Sequence, residues 1–206
     1  MDFLIKAFMV LPFLTSCTSY QIDSYYPSLR DILVPDKIII NPTISNSPYA
    51  MEVIQIDSSD EFLSVLASVT NGVMRWAGSN GVILHTMNGK IIKTKGLDVD
   101  FKIINYKGFT KVKKQTTYIE FSDPASGLLE INFEYNVIKT GLANKRINGD
   151  IESYRLIEES FYVPLIDWKG VNYFWVNDDN YVIRTKQITS PFGSKIRTTS
   201  LKKYSG

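Results

Sequence analysis

Leu129-Glu130-Ile131-Asn132-Phe133-Glu134-Tyr135-Asn136-Val137 alternates apolar and polar side chains without a break. On a strand successive side chains point to opposite faces, so this stretch buries one face and wets the other, as an antiparallel sheet does. A helical period of 3.6 would scatter the same apolar residues around its axis. Two Asn-Gly dipeptides extend the argument to hairpins. Asn71-Gly72 lies between SVLASVT and VMRWAG, and Asn88-Gly89 between VILHTM and KIIKTKG. Asn-Gly suits a type I′ turn, in which both central residues need positive φ. In the first hairpin this pairs Thr70 with Val73, Val69 with Met74 and Ala67 with Trp76. Val65, Ala67, Val69, Met74 and Trp76 then share one side.

A helix competes for residues 60–70. Ser58 and Glu61 have the spacing of a capping box, and Phe62, Leu66 and Val69 recur near helical spacing. The downstream Asn-Gly with matching faces favours a strand. Further strands are expected near 101–106, 114–122, 151–165, 171–177, 180–189 and 195–203. Asn177-Asp178-Asp179-Asn180 forms the turn between two of them. Twelve tyrosines, eleven phenylalanines and three tryptophans also favour strands. Many strands with short turns indicate an antiparallel β-barrel or a barrel-like sandwich built from hairpins, with little helix beyond a signal peptide. Closure would also remove exposed strand edges.

The N-terminus reads as an address. Lys6 precedes the apolar run Ala7 to Leu14, which is too short for a spanning helix of roughly 20 apolar residues. Leu14-Thr15-Ser16-Cys17 then has the form of a lipobox, and Cys17 is the sole cysteine of 206 residues. The expectation is a signal peptide over 1–16, diacylglycerol on Cys17, a tether over 17–35 with Tyr25-Tyr26 docking on the body, and one β-rich periplasmic domain over 36–206. Thr18, in place of an aspartate, points to the outer membrane. Stable anchoring takes more than one acyl chain, which a multiply acylated cysteine supplies. With its thiol acylated, the chain has none left for a disulfide or a thiolate metal site. Net charge is +2, from 23 Lys and Arg against 21 Asp and Glu. That balance argues against nucleic acid as a partner.

Two blocks carry a resemblance. The first runs from Arg75-Trp76 through Asn80-Gly81 to Thr86-Met87-Asn88-Gly89-Lys90, then Thr94-Lys95-Gly96-Leu97 and Asp98-Val99-Asp100-Phe101. The second is Tyr173-Phe174-Trp175-Val176, continuing through Val182-Ile183-Arg184-Thr185-Lys186-Gln187 to Pro191. Together with the lipobox they resemble the YjbF/GfcB (YmcC-like) family of bacterial lipoproteins. Lys90 stands where arginine is common, and Phe101 where leucine is common. The resemblance implies a mostly β, barrel-like periplasmic domain on the outer membrane. It also implies a non-enzymatic accessory role in producing or exporting capsule or exopolysaccharide, with export proteins or glycan as partners. It carries over no catalytic residue and no cofactor.

Few residues offer chemistry of their own. His85, the sole histidine, lies in a predicted strand and reads as a hydrogen-bonded strand residue rather than a triad member or metal ligand. Asp98 and Asp100 stand two apart. A pair of carboxylates serves glycosidic cleavage only when the two flank the bond, so a turn or capping role is favoured over a polysaccharide-modifying enzyme. Asp178 and Asp179 sit in a predicted turn, where aspartate is ordinary. Tyr173 and Trp175 would form a glycan platform if exposed, and otherwise one face of their strand is core and the other is covered. Lys111, Lys113 and Lys114 read as a solvated strand edge. Catalytic and metal-binding residues are therefore expected to be absent, and Cys17 is the one assigned modification site.

Overall fold

Residues 44, 46–109, 112–122, 125–144, 151–192 and 194–204 are described by the computed structural model. Twelve strands follow one another: β1 Met51–Ile56, β2 Phe62–Thr70, β3 Val73–Gly78, β4 Ile83–Met87, β5 Lys90–Lys95, β6 Phe101–Ile104, β7 Lys114–Phe121, β8 Leu129–Asn144, β9 Ile151–Val163, β10 Trp168–Val176, β11 Val182–Ile188 and β12 Lys195–Lys202. Each pairs antiparallel with the next, and β12 returns to β1, so the sheet closes into an up-and-down barrel. Closure gives each of these strands a neighbour on both sides, which protects their edges from pairing with another chain. Expectation and structure agree here, including the strand, not helix, at 62–70.

Both Asn-Gly turns form as their chemistry requires. Asn71 and Gly72 have φ of 50° and 77°, and Asn88 and Gly89 have 50° and 78°. Thr70 pairs with Val73 and Val69 with Met74. The register then shifts between Leu66 and Ser68, so Leu66, not Ala67, faces Trp76. A bulge inserts one extra residue and flips the alternation beyond it. Leu66 packs on the core with Trp76 and Met74, while Val69 is left exposed. The face expected to hold Val65, Ala67 and Val69 is thus corrected by one bulge residue.

The inward face carries Ile54, Leu84, Ile91, Ile119, Ile131, Phe161, Phe174 and Ile196 in one core. The core is continuous because the barrel is flattened. β5 and β11 stand on opposite sides of the twelve-strand ring. Yet the Gln187 amide on β11 reaches the β5 side directly. Its Oε1 accepts from Ile91 N at 3.0 Å and its Nε2 donates to the Gly89 carbonyl at 2.8 Å. The two walls pack against each other as the sheets of a sandwich do. The connection from β6 to β7 helps fill the interior. Phe109 lies 5.1 Å from the Phe174 ring and 6.0 Å from Tyr135, centroid to centroid.

Gly89 sits where the walls meet. A Cβ built there would lie 2.6–2.8 Å from the Val182 side chain, whereas one on Gly72 would meet nothing within 4 Å. Both glycines have positive φ, so both pay the left-handed cost of about 1–2 kcal/mol on gaining a side chain. Only Gly89 adds overpacking, worth about 1–3 kcal/mol. Gly89→Ala should therefore lower stability by about 2–5 kcal/mol and Gly72→Ala by about 1–2 kcal/mol, as read from urea midpoints.

Candidate functional site

A groove of about 750 Å³ runs across the sheet formed by β7, β8, β9 and β10. Its polar lining comes from alternate residues of these strands, brought side by side by register. One rung is Thr116, Asn132, Tyr162 and Lys169, paired strand to strand. The next is Lys114, Glu134, Ser160 and Val171. Thr116, Tyr162 and Lys169 are exposed, and Asn132, Glu134 and Ser160 are half-buried. Their neighbours Thr117, Ile131, Phe133 and Phe161 turn inward, as alternation demands.

The groove sets polar and charged side chains, Lys114, Glu134 and Lys169 among them, around an apolar floor that includes Phe133, Phe161, Val171 and Ile188. Lys114 Nζ lies 3.0 Å from Glu134 Oε1 at the surface, a pair worth at most about 1 kcal/mol. Thr116 Oγ1 donates to Asn132 Oδ1 at 2.6 Å, and Asn132 Nδ2 donates to Glu130 Oε1 at 3.2 Å. Hydroxyls and side-chain amides both donate and accept, so the surface matches a ligand that does the same. Tyr162, 41% exposed, adds an aromatic face, and Tyr118, 48% exposed, stands on the next rung opposite Glu130.

The groove's floor rests on a buried polar network. The Lys90 ammonium donates to Glu159 Oε1, and both side chains are buried. Asn172 Nδ2 donates to the same carboxylate oxygen at 2.6 Å, and the Tyr106 hydroxyl donates to Oε2 at 3.4 Å. Tyr135 in turn donates to Tyr106 at 3.3 Å, and Gln115 Nε2 donates to Tyr135 at 2.7 Å. Lys90 also lies 4.9 Å from the Phe133 ring centre and 6.0 Å from that of Phe161, within reach of a cation–π attraction. Burial pushes the Lys90 ammonium below its ordinary value, and the Glu159 charge opposes that shift. Burial, then the Glu159 charge, raises the Tyr106 and Tyr135 hydroxyls. Gly170 lets the wall close over this floor. A Cβ there would lie 2.7 Å from the Phe161 ring and 2.9 Å from Ile188.

Of the residues singled out in the sequence, Lys114 lines the groove and the other described ones lie elsewhere. His85 stands between Arg75 and Lys93 on the flanking strands. Burial first, then those two cations, lowers its pKa, so it is neutral at pH 7. Asp100 closes a turn, accepting from Gly96 N at 2.9 Å and Leu97 N at 3.1 Å. Asp178 accepts from Ser153, and Asp179 pairs with Lys203 at 3.1 Å. Phe174 and Val176 are core. Tyr173 and Trp175 face the other way and are also buried, at 2% and 4% exposure, in a second cluster with Tyr154 and Leu156. They are not an exposed platform. Of the lysine run, Lys114 lines the groove and Lys113 is exposed. Cys17, the tether and Lys111 lie outside the described residues. Among the described residues no group of three or more His, Cys, Asp or Glu is placed to hold a metal.

Removing one member of the buried pair strands the other as an uncompensated charge, at a cost of about 3–5 kcal/mol. Lys90→Met and Glu159→Gln should each lose that much in urea denaturation. The double variant should lose less than the sum, because the two sites share one contact.

Comparison with known proteins places this geometry. Residues 34–201 match the family described as "Group 4 capsule polysaccharide lipoprotein gfcB, YjbF". The uncharacterized lipoprotein YjbF of Escherichia coli K12 is 22% identical over 189 residues, covering 85% of this chain and 86% of that protein. The solved structure of the hypothetical lipoprotein YmcC from Escherichia coli K12 superposes with a TM-score of 0.72 at 16% identity. It covers 88% of this chain and 100% of that one, which shows a shared fold. A twelve-strand flattened barrel with this sequence belongs to the YjbF family of group 4 capsule polysaccharide lipoproteins.

Proposed function

We propose that this chain is a non-enzymatic accessory of capsule or exopolysaccharide production and export. In this reading it is held at the outer membrane through lipid on Cys17, with its barrel in the periplasm, and the β7–β10 groove holds a stretch of the polysaccharide. The groove carries the proposal. It presents hydroxyls, amides, a balanced ion pair and an exposed tyrosine ring in adjacent rungs. Sugars offer hydroxyls that donate and accept along one edge and C–H faces that pack on aromatic rings, so the two surfaces correspond. Each such hydrogen bond contributes about 0.5–1.5 kcal/mol net. A chain is then held by repetition and still released, as export requires. The interior is packed with side chains, which leaves the outer wall for a polymer to run along.

The enzymatic alternative, with Asp98 and Asp100 as acid and base, draws less support. The Asp100 carboxylate is occupied by two backbone N–H groups of its own turn. The family's description names capsule polysaccharide and lipoprotein, and no reaction.

Two measurements test the proposal. Purified protein should retain the capsular polysaccharide of its host in calorimetry. Thr116→Ala, Asn132→Ala and Tyr162→Ala together should weaken retention about tenfold or more, as two lost hydrogen bonds imply, with thermal stability nearly unchanged. Equal retention by wild type and variant would remove the groove from the reading. Cys17→Ala should leave the chain soluble or uncleaved and reduce surface polysaccharide through mislocalisation. Full polysaccharide output from that variant would make the anchor incidental.

A further inference from the structure

The opposite feature of the molecule is a small enclosed cavity at the barrel end that carries the Asn-Gly turns. It measures about 130 Å³, and Gly72, Asn88 and Asn180 from three hairpin turns stand at its rim. Inside it the hydroxyls pair with each other or with fixed groups. Tyr181 and Ser200 lie 3.1 Å apart, Thr185 and Thr198 2.9 Å apart, and Trp76 Nε1 donates to Thr86 at 3.0 Å. One group is left over. Glu52 is 7% exposed, lines the cavity, and its Oε1 makes no hydrogen bond to any described residue. Ser64, its register partner on β2, holds the other buried side-chain oxygen without a hydrogen bond among the described residues.

A buried polar atom without a partner is costly, and folded proteins rarely keep one without a use. Position makes this one informative. Glu52 lies at the start of β1, on its inward face, two residues before the core residue Ile54. We propose that this mouth of the barrel binds a small primary amine, its ammonium group donating to Glu52 Oε1 and its carbon skeleton resting against Met74, Trp76 and Val182.

Three observations select that chemistry. A carboxylate with nearby hydroxyl oxygens supplies acceptors and a negative charge, which an ammonium with three donors matches. The volume is a little under the roughly 150 Å³ that admits benzene, so amine and carbon skeleton together reach about the size of a five-membered ring with its nitrogen. A single carboxylate does not make a divalent-metal site, which takes several charged oxygen ligands. The electrostatics agree. Burial raises the Glu52 carboxyl to about 8, so at pH 7 it is mostly protonated until a cation arrives. The titratable group coupled to it is Tyr181, whose hydroxyl is itself raised by burial. The Lys202 ammonium, near the end of β12, donates to the Ser47 carbonyl. This site shares no residue with the β7–β10 groove, so its failure would leave the groove reading untouched.

The test uses cyclopentylamine and its neutral counterpart cyclopentanol, titrated calorimetrically into the full-length chain. Cyclopentylamine should bind at least tenfold more tightly than cyclopentanol. Its affinity should rise as pH is taken from 6 to 8.5, because Glu52 must ionise to receive it. Glu52→Gln should lose at least tenfold in amine affinity. In wild type, the carboxyl carbon resonance of Glu52 should titrate at least one unit lower when the amine is saturating, a readout that needs no variant. Equal affinity for amine and alcohol, or an unmoved Glu52 titration, would overturn the proposal.

Discussion

A charged pair inside the barrel organises the rest of the fold. Lys90 and Glu159 come from β5 and β9, and neither is exposed to water. Two ions in such a setting are tolerated only when every lone pair and proton is met. Glu159 is met by Asn172 and Tyr106, Tyr106 by Tyr135, and Tyr135 by Gln115. Asn172 Oδ1 accepts from Ile188 N at 2.7 Å, which carries the chain of bonds on to β11. One ion pair thus fixes the relative positions of strands from both walls. Gln187 ties β11 to β5 beside it, and the barrel is held flat.

Flatness has consequences for where a ligand can go. Among the described residues the opposite walls are in contact at mid-height, which directs ligands to the outside and to the mouths. The groove lies on the outer side of the strands whose inward residues, Phe133 and Phe161, flank Lys90. Its shape is therefore backed by the same network that flattens the barrel. The small cavity with Glu52 lies at one end, where the walls diverge beyond Gly89 and Val182. The two surfaces differ in kind: one is open and carries Lys169 beside a lysine–glutamate pair, the other is small and lined by one buried carboxyl.

Several residues of the motif blocks now have physical roles. Trp76 donates to Thr86, Thr94 Oγ1 accepts from Phe101 N, and Asp100 caps the turn at Gly96-Leu97. Each of these contacts closes a turn or joins neighbouring strands. Lys90 is the buried cation of the central pair. One bulge accounts for the register that the strand pattern missed. The shift at Ala67 moved Leu66, not its neighbour, opposite Trp76, and a second shift between Val137 and Lys139 accompanies the change of buried face from Tyr154 and Leu156 to Ile157 and Glu159.

The sequence alone determined the strands, the hairpin turns and the antiparallel class, because these depend on neighbours in the chain; it left barrel and sandwich open, and closure came from the pairing of β1 with β12. Alternation over 129–137 and positive φ at Asn-Gly are local properties, legible from residue type. It also marked Lys114 and the outward polar positions Asn132 and Glu134, though not what lies beside them. Only the tertiary structure decided that Tyr162 joins Asn132 and Thr116 in one rung, that Tyr173 and Trp175 are buried on the outward face, and that Lys90 meets Glu159 sixty-nine positions away. Such contacts depend on register and on bulges, and a shift of one residue sends every later side chain to the other face. Glu52 shows the limit most plainly. Its alternation places it on a face, but its unpartnered oxygen follows from which side chains four other strands bring to the same mouth.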